Sequence, residues 1–579
     1  MRRVVVLLFL LALAPAFLLR PAPAASLPGE VAGILRIVLD DDTGAAALLP
    51  AVPGLAWGDL VRRFYRQRQF RPAWVTDLGL DGRARELIEF LRGAGDFGLC
   101  GNHYHLQELE PLLLMEADSL RHGVLFDATY FALMELLLTD AFLRLADDLS
   151  GWRPPRVQAR GRIDRDRALV LFLEQSLRNG LLTEALRGLD PDQQPFVSLL
   201  EELQRLRKLS ALGGWPPIPP GPVLRPGMRD SRLAVLRQRL YYGGDLEPYA
   251  AWGEENFGPL TVRALKQFQR RHGLRDDGVL GPLTLAELNR PVEERIRQIE
   301  INLWRWRRES RNYGERYLRV NIAAFRLDII ELGEIVMSMP VVVGTPYRKT
   351  PSFAATMRYL EFAPYWYVPA TILREDKLPR IRRDPGWLTR HHFEIVSWRG
   401  DGERLIDPRA IDWRRVRPGN FPGILRQRPG PWNPLGRVKF MFPNRYAVYL
   451  HDTDSPHLFA RIDRLFSSGC IRVERPLDLA LYLLEKNGWN CERIIEAMDS
   501  PEPLRVDLDE PVPVHIVYWT AWVDANGQIN YRNDVYQRDA DLELAWRRRL
   551  TGGGLAVQWA GAGARSAGEA SAQSRSLSQ

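Results

Sequence analysis

The 579-residue sequence predicts a multi-domain α+β protein. A helical N-terminal scaffold is followed by a small three-helix domain and then by a β-rich domain with a lid-like insertion. Three observations carry this reading. Apolar residues recur at three- and four-residue spacing from about residue 60 to 212, the period of amphipathic helices. A Pro/Gly-dense stretch then leads into a doubled helix entry. From Tyr317 the pattern changes to β-branched runs with partial alternation. A chain of this length also exceeds one hydrophobic core.

Taken in order, residues 1–25 read as a secretory signal peptide: Arg2 and Arg3, an apolar run from Val4 to Leu19, then Ala22-Pro23-Ala24. The run is broken by Pro15 and is shorter than the ~20 residues that span a bilayer. Export to the periplasm is therefore expected, with an uncleaved anchor as the alternative. Cleavage would remove three arginines and no acid, lowering the formal net charge from +8 to +5. That mild excess suits an anionic polymer without identifying one. No lysine-rich or arginine-rich block argues for nucleic acid.

Residues 26–212 form the expected scaffold, with helices over LVRRFYRQRQFRPAWV (60–75), RARELIEFLRGAGDFGL (83–99), TYFALMELLLTDAFLRLADDL (129–149) and PFVSLLEELQRLRKLSAL (195–212). Residues 213–230, GGWPPIPPGPVLRPGMRD, read as a polyproline-like linker. In 231–290, Phe257-Gly-Pro-Leu-Thr261 is echoed by Leu280-Gly-Pro-Leu-Thr284, each entering a helix with Thr expected at the N-cap. The β-rich domain is assigned to 291–551. Its strands are expected over 317–332 and 334–344, with Leu332-Gly333-Glu334 as the turn, and then over 357–369, 437–453 and 512–536. An irregular insertion occupies about 364–436. Residues 552–579, small and polar, read as a disordered tail.

The chemistry-bearing stretch is LFSSGCIRV (465–473), whose Cys470 follows His451 by nineteen positions. Three cysteines do not make a disulfide framework, although a Cys100–Cys491 pair is one alternative. A free thiol is mostly protonated at neutral pH, so a working cysteine needs a base or a positive group beside it. Either Cys470 is a small buried hydrophobe and His451 an ordinary strand-end residue, or the two form a nucleophile and its base. His391, His392 and His457 belong to no cluster with metal-ligand spacing, so no metal is expected.

Two resemblances bear on the choice. The run from Phe257 to Thr284, FG-x-x-T-x-x-A-x-x-x-FQ-x-x-x-GL-x-x-DG-x-x-G-x-x-T, resembles the small helical peptidoglycan-binding domain. YLHDT (449–453) followed by SSGCIRV resembles the active-site signature of the L,D-transpeptidase family. VNIAAFRL, MPVVVG, YWYVP and NPLGRVKFMFPN resemble that family's other segments in order, and FYRQRQFRPAW and GDFGL resemble the scaffold domain of its large periplasmic members. The resemblance implies Cys470 as acyl-accepting nucleophile and His451 as base. It implies an oxyanion hole from the backbone around Ser468, Gly469 and Cys470, and the Asp452 main-chain carbonyl orienting the imidazole. Arg472 would order the catalytic loop or meet a substrate carboxylate, and Tyr449 would line the cleft. Ser468 stands where many members have histidine, and Arg475 where some have asparagine, so those roles do not transfer.

The expected function is an exported enzyme that joins peptidoglycan tetrapeptide stems through a cysteine thioester, giving 3→3 cross-links without a cofactor. Donor and acceptor stems are its expected partners, with the cell-wall synthesis machinery a further one and carbapenem β-lactams as covalent inhibitors. The same thioester with another acceptor would make it a carboxypeptidase, an endopeptidase or a lipoprotein-anchoring enzyme. A non-catalytic wall-binding scaffold is the alternative from another class.

Overall fold

In the computed structural model, residues 26–40, 55, 57–121, 127–151, 164–248, 256–309, 313–398 and 402–550 are described. The expected signal peptide and the expected C-terminal tail lie outside them. The chain divides into two units, one running to Arg311 and resuming at Thr520, the other spanning Asn312–Trp519.

The first unit is built around the helix Ala128–Ser150, which is buried nearly all round. Asp127 caps its start by accepting from the Thr129 and Tyr130 N–H groups. Gly151, at φ +66°, ends it, and a Cβ there would lie 1.7 Å from the Arg307 carbonyl oxygen. Its buried polar side chains are all committed. Glu135 accepts from the Tyr65 hydroxyl and from the Ala73 and Trp74 N–H groups at 2.5, 2.8 and 2.7 Å. Burial still pushes its carboxyl up to about 7. The helix expected over 60–75 is Gly58–Gln67; the chain reverses after it through Gln69 and Phe70, both at positive φ, ahead of Pro72.

The three-helix domain comprises Arg232–Tyr242, Pro259–Arg271 and Pro282–Leu288. Two local expectations change here. Gly258 and Gly281 are the N-caps, with proline at the first turn. Thr261 and Thr284 sit a turn inside and are buried, where their hydroxyls accept from Arg237 Nε and Gln269 Nε2. The 213–230 stretch is not a free linker. Ile218 and Leu224 enter the core with Leu236, Leu265 and Phe268, because an apolar residue between prolines still gains from burial.

The assigned start and end of the β-rich domain also move. The helix Val292–Arg308 and the chain from Thr520 belong to the first unit. Asn302 Nδ2 donates to Thr520 Oγ1 at 2.8 Å, and Gln298 Nε2 donates to the Arg532 carbonyl at 2.8 Å. Tyr531, on the hairpin Ala521–Val523/Ile529–Tyr531, stacks on His272 at 5.2 Å and lies under Arg295.

The second unit is one closed sheet with a four-stranded insertion. Its strands are β1 (Arg316–Asn321), β2 (Arg326–Glu331), β3 (Glu334–Gly344), β4 (Phe353–Phe362), β5 (Trp366–Tyr367), β6 (Phe393–Trp398), β7 (Glu403–Ile406), β8 (Ile424–Gln427), β9 (Val438–Met441), β10 (Leu450–His451), β11 (Leu465–Ser467), β12 (Ile471–Val473) and β13 (Leu504–Val517). The order β11-β3-β12-β10-β9-β4-β13-β1-β2 closes because long β3 also pairs with β2. Closure leaves few free edges. The run 317–332, expected as one strand, is two: the chain turns over Ile322–Phe325 with no glycine or proline to mark it. The turn at Leu332-Gly333 holds, both at positive φ. The insertion is regular, with sheet order β5-β8-β6-β7. It is packed by its own Trp366, Trp413, Ile381 and Leu425.

Candidate active site

Strands β10 and β12 run parallel, with Leu450 opposite Ile471 and His451 opposite Arg472. The same register sets Tyr449 opposite Cys470. Side chains alternate along strands, so Tyr449, His451, Cys470 and Arg472 share one face. All four line one cavity of about 720 Å³, together with Ser467, Ser468 and Gly469.

The turn before Cys470 is held from three directions. Ser467 Oγ donates to the Cys470 carbonyl and accepts the Gly469 N–H at 3.1 Å. Buried Thr350 donates to the Gly469 carbonyl and accepts the Gly344 N–H, each at 2.9 Å. The Thr345 N–H donates to the Ser467 carbonyl. Gly469 sits at φ +116°, a conformation that L side chains avoid. Gly344 is equally constrained, since a Cβ there would lie 2.1 Å from the Arg348 carbonyl oxygen. These bonds bear on one expectation: the Gly469 N–H, one of the backbone donors expected for an oxyanion, is bound to Ser467 Oγ. Ser468 is exposed, and its hydroxyl accepts from Arg348 Nη1 at 3.0 Å.

His451 is 4% exposed. Its Nδ1 lies 2.6 Å from the Asp452 carbonyl oxygen. A carbonyl only accepts, so Nδ1 carries the proton and Nε2 keeps its lone pair. Burial, then the Arg472 charge, pushes the imidazole down to about 3 against the Asp452 bond. The Asp452 carboxylate turns away and accepts the Arg437 N–H at 2.8 Å. Gly436 makes room for it, since a Cβ there would lie 2.3 Å from its Cγ. Burial raises the Cys470 thiol, against the opposing pull of Tyr449, Lys439 and Arg472. The thiol lies 3.8 Å from the Ala447 carbonyl, with the Tyr449 phenol also beside it, and among the described residues no bond joins it to His451. Both shifts favour the neutral thiol and the neutral imidazole.

The opposite wall comes from the insertion, which contributes Trp366, Ile372, Lys377, Trp387 and Phe393. The insertion thus has a core of its own and also lines the cleft. Arg348 ties it to the catalytic turn: besides Ser468 it grips Asp376 at 2.9 Å and Glu375 at 2.7 Å. Sequence reasoning missed Ser467, Thr350, Arg348 and Lys377, because Thr350 and Gly469 lie 119 positions apart and no spacing rule joins them. Tyr449 stands edge-on to His451 with ring centroids 5.7 Å apart. Of the other histidines, His391 lines the cavity and His392 stacks on Trp432. No group of three His, Cys, Asp or Glu is placed to hold a metal among the described residues. Cys100 and Cys491 are free thiols rather than a bridge.

Comparison with known proteins defines the class. Residues 315–501 match the L,D-transpeptidase catalytic domain, 59–203 the scaffold domain, and 234–288 the family described as "Putative peptidoglycan binding domain". The chain therefore carries an L,D-transpeptidase catalytic domain, a scaffold domain and a domain of the peptidoglycan-binding type, and the resemblance read from its motifs is borne out. Among individual proteins it is 35% identical over 226 residues to one from Haemophilus influenzae named "Putative L,D-transpeptidase". That match covers 39% of this chain and 45% of the other, so the chain spans less than half of that relative's length. The crystal structure of an L,D-transpeptidase (residues 123–326) from Xylanimonas cellulosilytica matches at 16% identity over 52% of this chain and 100% of the other. Its TM-score is 0.16, too low to bear on the fold.

Proposed function

We propose that this protein is an exported peptidoglycan L,D-transpeptidase that works through a Cys470 thioester. The observation that carries the reading is the shared face of Tyr449, His451, Cys470 and Arg472 on two parallel strand ends, opening into one cavity of a domain matched to that family. Cys470 Sγ attacks the carbonyl of the third residue of a donor tetrapeptide stem. Its proton passes to His451 Nε2 and from there to the departing amine of the terminal D-Ala. The S–C bond forms as the C–N bond breaks. An acceptor amine from a neighbouring stem then attacks the thioester, its proton returns through His451 to sulfur, and a 3→3 amide remains.

Because both shifts favour the neutral groups, proton transfer accompanies attack, and Arg472 and Lys439 favour the charge that grows on sulfur. The Cys470 N–H and the Tyr449 phenol, which lies beside the sulfur, are donors for the oxyanion. Peptidoglycan lies outside the cytoplasm, which agrees with an export signal in residues 1–25. No helix among the described residues is long and apolar enough to cross a membrane.

The test is incubation with purified disaccharide-tetrapeptide, with products read by mass. A dimer lighter by one D-Ala is the expected product. Loss of D-Ala alone would mark water as the acceptor, and recovery of unchanged substrate would overturn the reading.

A further inference from the structure

The insertion places a cation in the cleft that the chemistry above does not use. Lys377 ends the π-helical turn Leu373–Lys377, a distortion that recurs at functional sites. The turn directs Glu375 and Asp376 to Arg348 and leaves Lys377 facing the cavity. Its ammonium sits among three rings, 5.0 Å from Trp366, 5.3 Å from Trp387 and 5.4 Å from Phe393. Ring faces offset part of the cost of removing a cation from water, but only an anion restores the rest. Among the described residues Lys377 is in no ion pair, although the Asp376 and Asp454 carboxylates are near enough to favour its charge; Asp376 is held by Arg348, and Asp454 accepts from the Ser455 hydroxyl at 2.9 Å. Among the described residues Arg472, on the facing wall, is also in no ion pair; its Nη1 donates to Thr453 Oγ1 at 3.3 Å, and its buried Nε meets no hydrogen-bond partner there.

We propose that Lys377, in its box of Trp366, Trp387 and Phe393, is a specificity-determining anchor for a carboxylate of the donor stem lying outside the scissile bond. The site would thereby select stems with free side-chain carboxylates over their amidated forms. This rests on the transpeptidase reading of the same cleft. It deepens that reading by assigning the insertion a share in donor choice. Burial and neighbouring Arg380 make the ammonium easier to deprotonate, so a bound carboxylate also keeps it charged.

The experiment compares kcat and KM for two tetrapeptide stems, one with free side-chain carboxylates and one with them amidated. Wild-type protein, Lys377→Met and Lys377→Arg are assayed, with Lys377→Gln as a second neutral variant should Met prevent folding. The wild type is expected to favour the free acid by roughly tenfold or more in kcat/KM, the worth of one charge-assisted contact. In the neutral variants that ratio falls to about one through KM, and in Lys377→Arg most of it returns. A wild-type ratio near one, a ratio unchanged in folded neutral variants, or no return with arginine would each overturn the proposal. A Cys470 thioester seen by intact mass in those cases leaves the transpeptidase reading standing. No thioester with either stem would overturn both.

Discussion

Of three histidines buried to 4% exposure, His105, His272 and His451, the first and last are used in opposite ways. His105, in the helical unit, puts Nε2 2.7 Å from the Asp140 carboxylate, which also accepts the Trp57 N–H at 3.0 Å. That ring is one member of a closed polar network around a central helix. His451 spends one nitrogen on a neutral carbonyl and stands among cations, with its other nitrogen uncommitted beside a cavity. Burial is common to both. What separates a structural from a chemical histidine is the charge of its partner and the surroundings of its second nitrogen.

The sharpest way to break the comparison is Cys470→Ala. It should abolish acyl transfer and the one-to-one carbapenem adduct while the circular dichroism spectrum stays native. An adduct that persists on Cys100 or Cys491 would show ordinary thiol reactivity instead.

His451→Ala should slow acylation by about 10²–10⁴, the usual worth of general acid–base help. The deficit should narrow at high pH, where hydroxide ionises the thiol. With the imidazole held down to about 3, the acid limb of the wild-type rate should fall well below pH 6.5. A limb at the ordinary histidine value would contradict this geometry.

His105→Ala should do the reverse. It should lower stability by about 1–3 kcal/mol, because Asp140 loses one buried hydrogen bond while the Trp57 N–H and Arg144 still serve it. The protein that remains folded should keep its turnover. Denaturant titration and a folded-fraction assay would check both halves.

The pH dependence of stability reads His451 by itself. His451 is neutral in the fold but takes up a proton when unfolded, so the unfolded state binds more protons between about pH 6.5 and 3. Stability should therefore fall as pH drops through that window, and His451→Gln should flatten the slope. Thr350→Val should have the mildest outcome. It loses the hydroxyl bridging Gly469 and Gly344, costing about 1–3 kcal/mol for the buried groups left unpaired and loosening the catalytic turn. Thermal unfolding and acylation rate should both respond.

The candidate pair was legible because its motif is local: spacing alone left Cys470 and His451 open, and YLHDT followed by SSGCIRV resembles the family signature. The helices were legible from their period, although proline and positive-φ residues trimmed their ends. The turn over Ile322–Phe325 was hidden, since Ala323 and Ala324 carry no turn signature. The 213–230 stretch misled because its composition speaks of stiffness and says nothing of what Ile218 and Leu224 touch.

The sequence by itself determined the order of the helical, three-helix and β-rich parts, and the identity of the candidate nucleophile and base, because periodicity and short motifs are properties of neighbours along the chain. Tertiary structure alone decided that the Val292–Arg308 helix and the hairpin after Thr520 belong with the helical unit. It also decided that Ser467 takes the Gly469 N–H, that Thr350 and Arg348 brace the turn, and that Lys377 faces the cleft. Each of these depends on hydrogen bonds, charges or ring faces brought together from far apart in the chain. Their energies exist only once each unit has folded, so no local pattern records them.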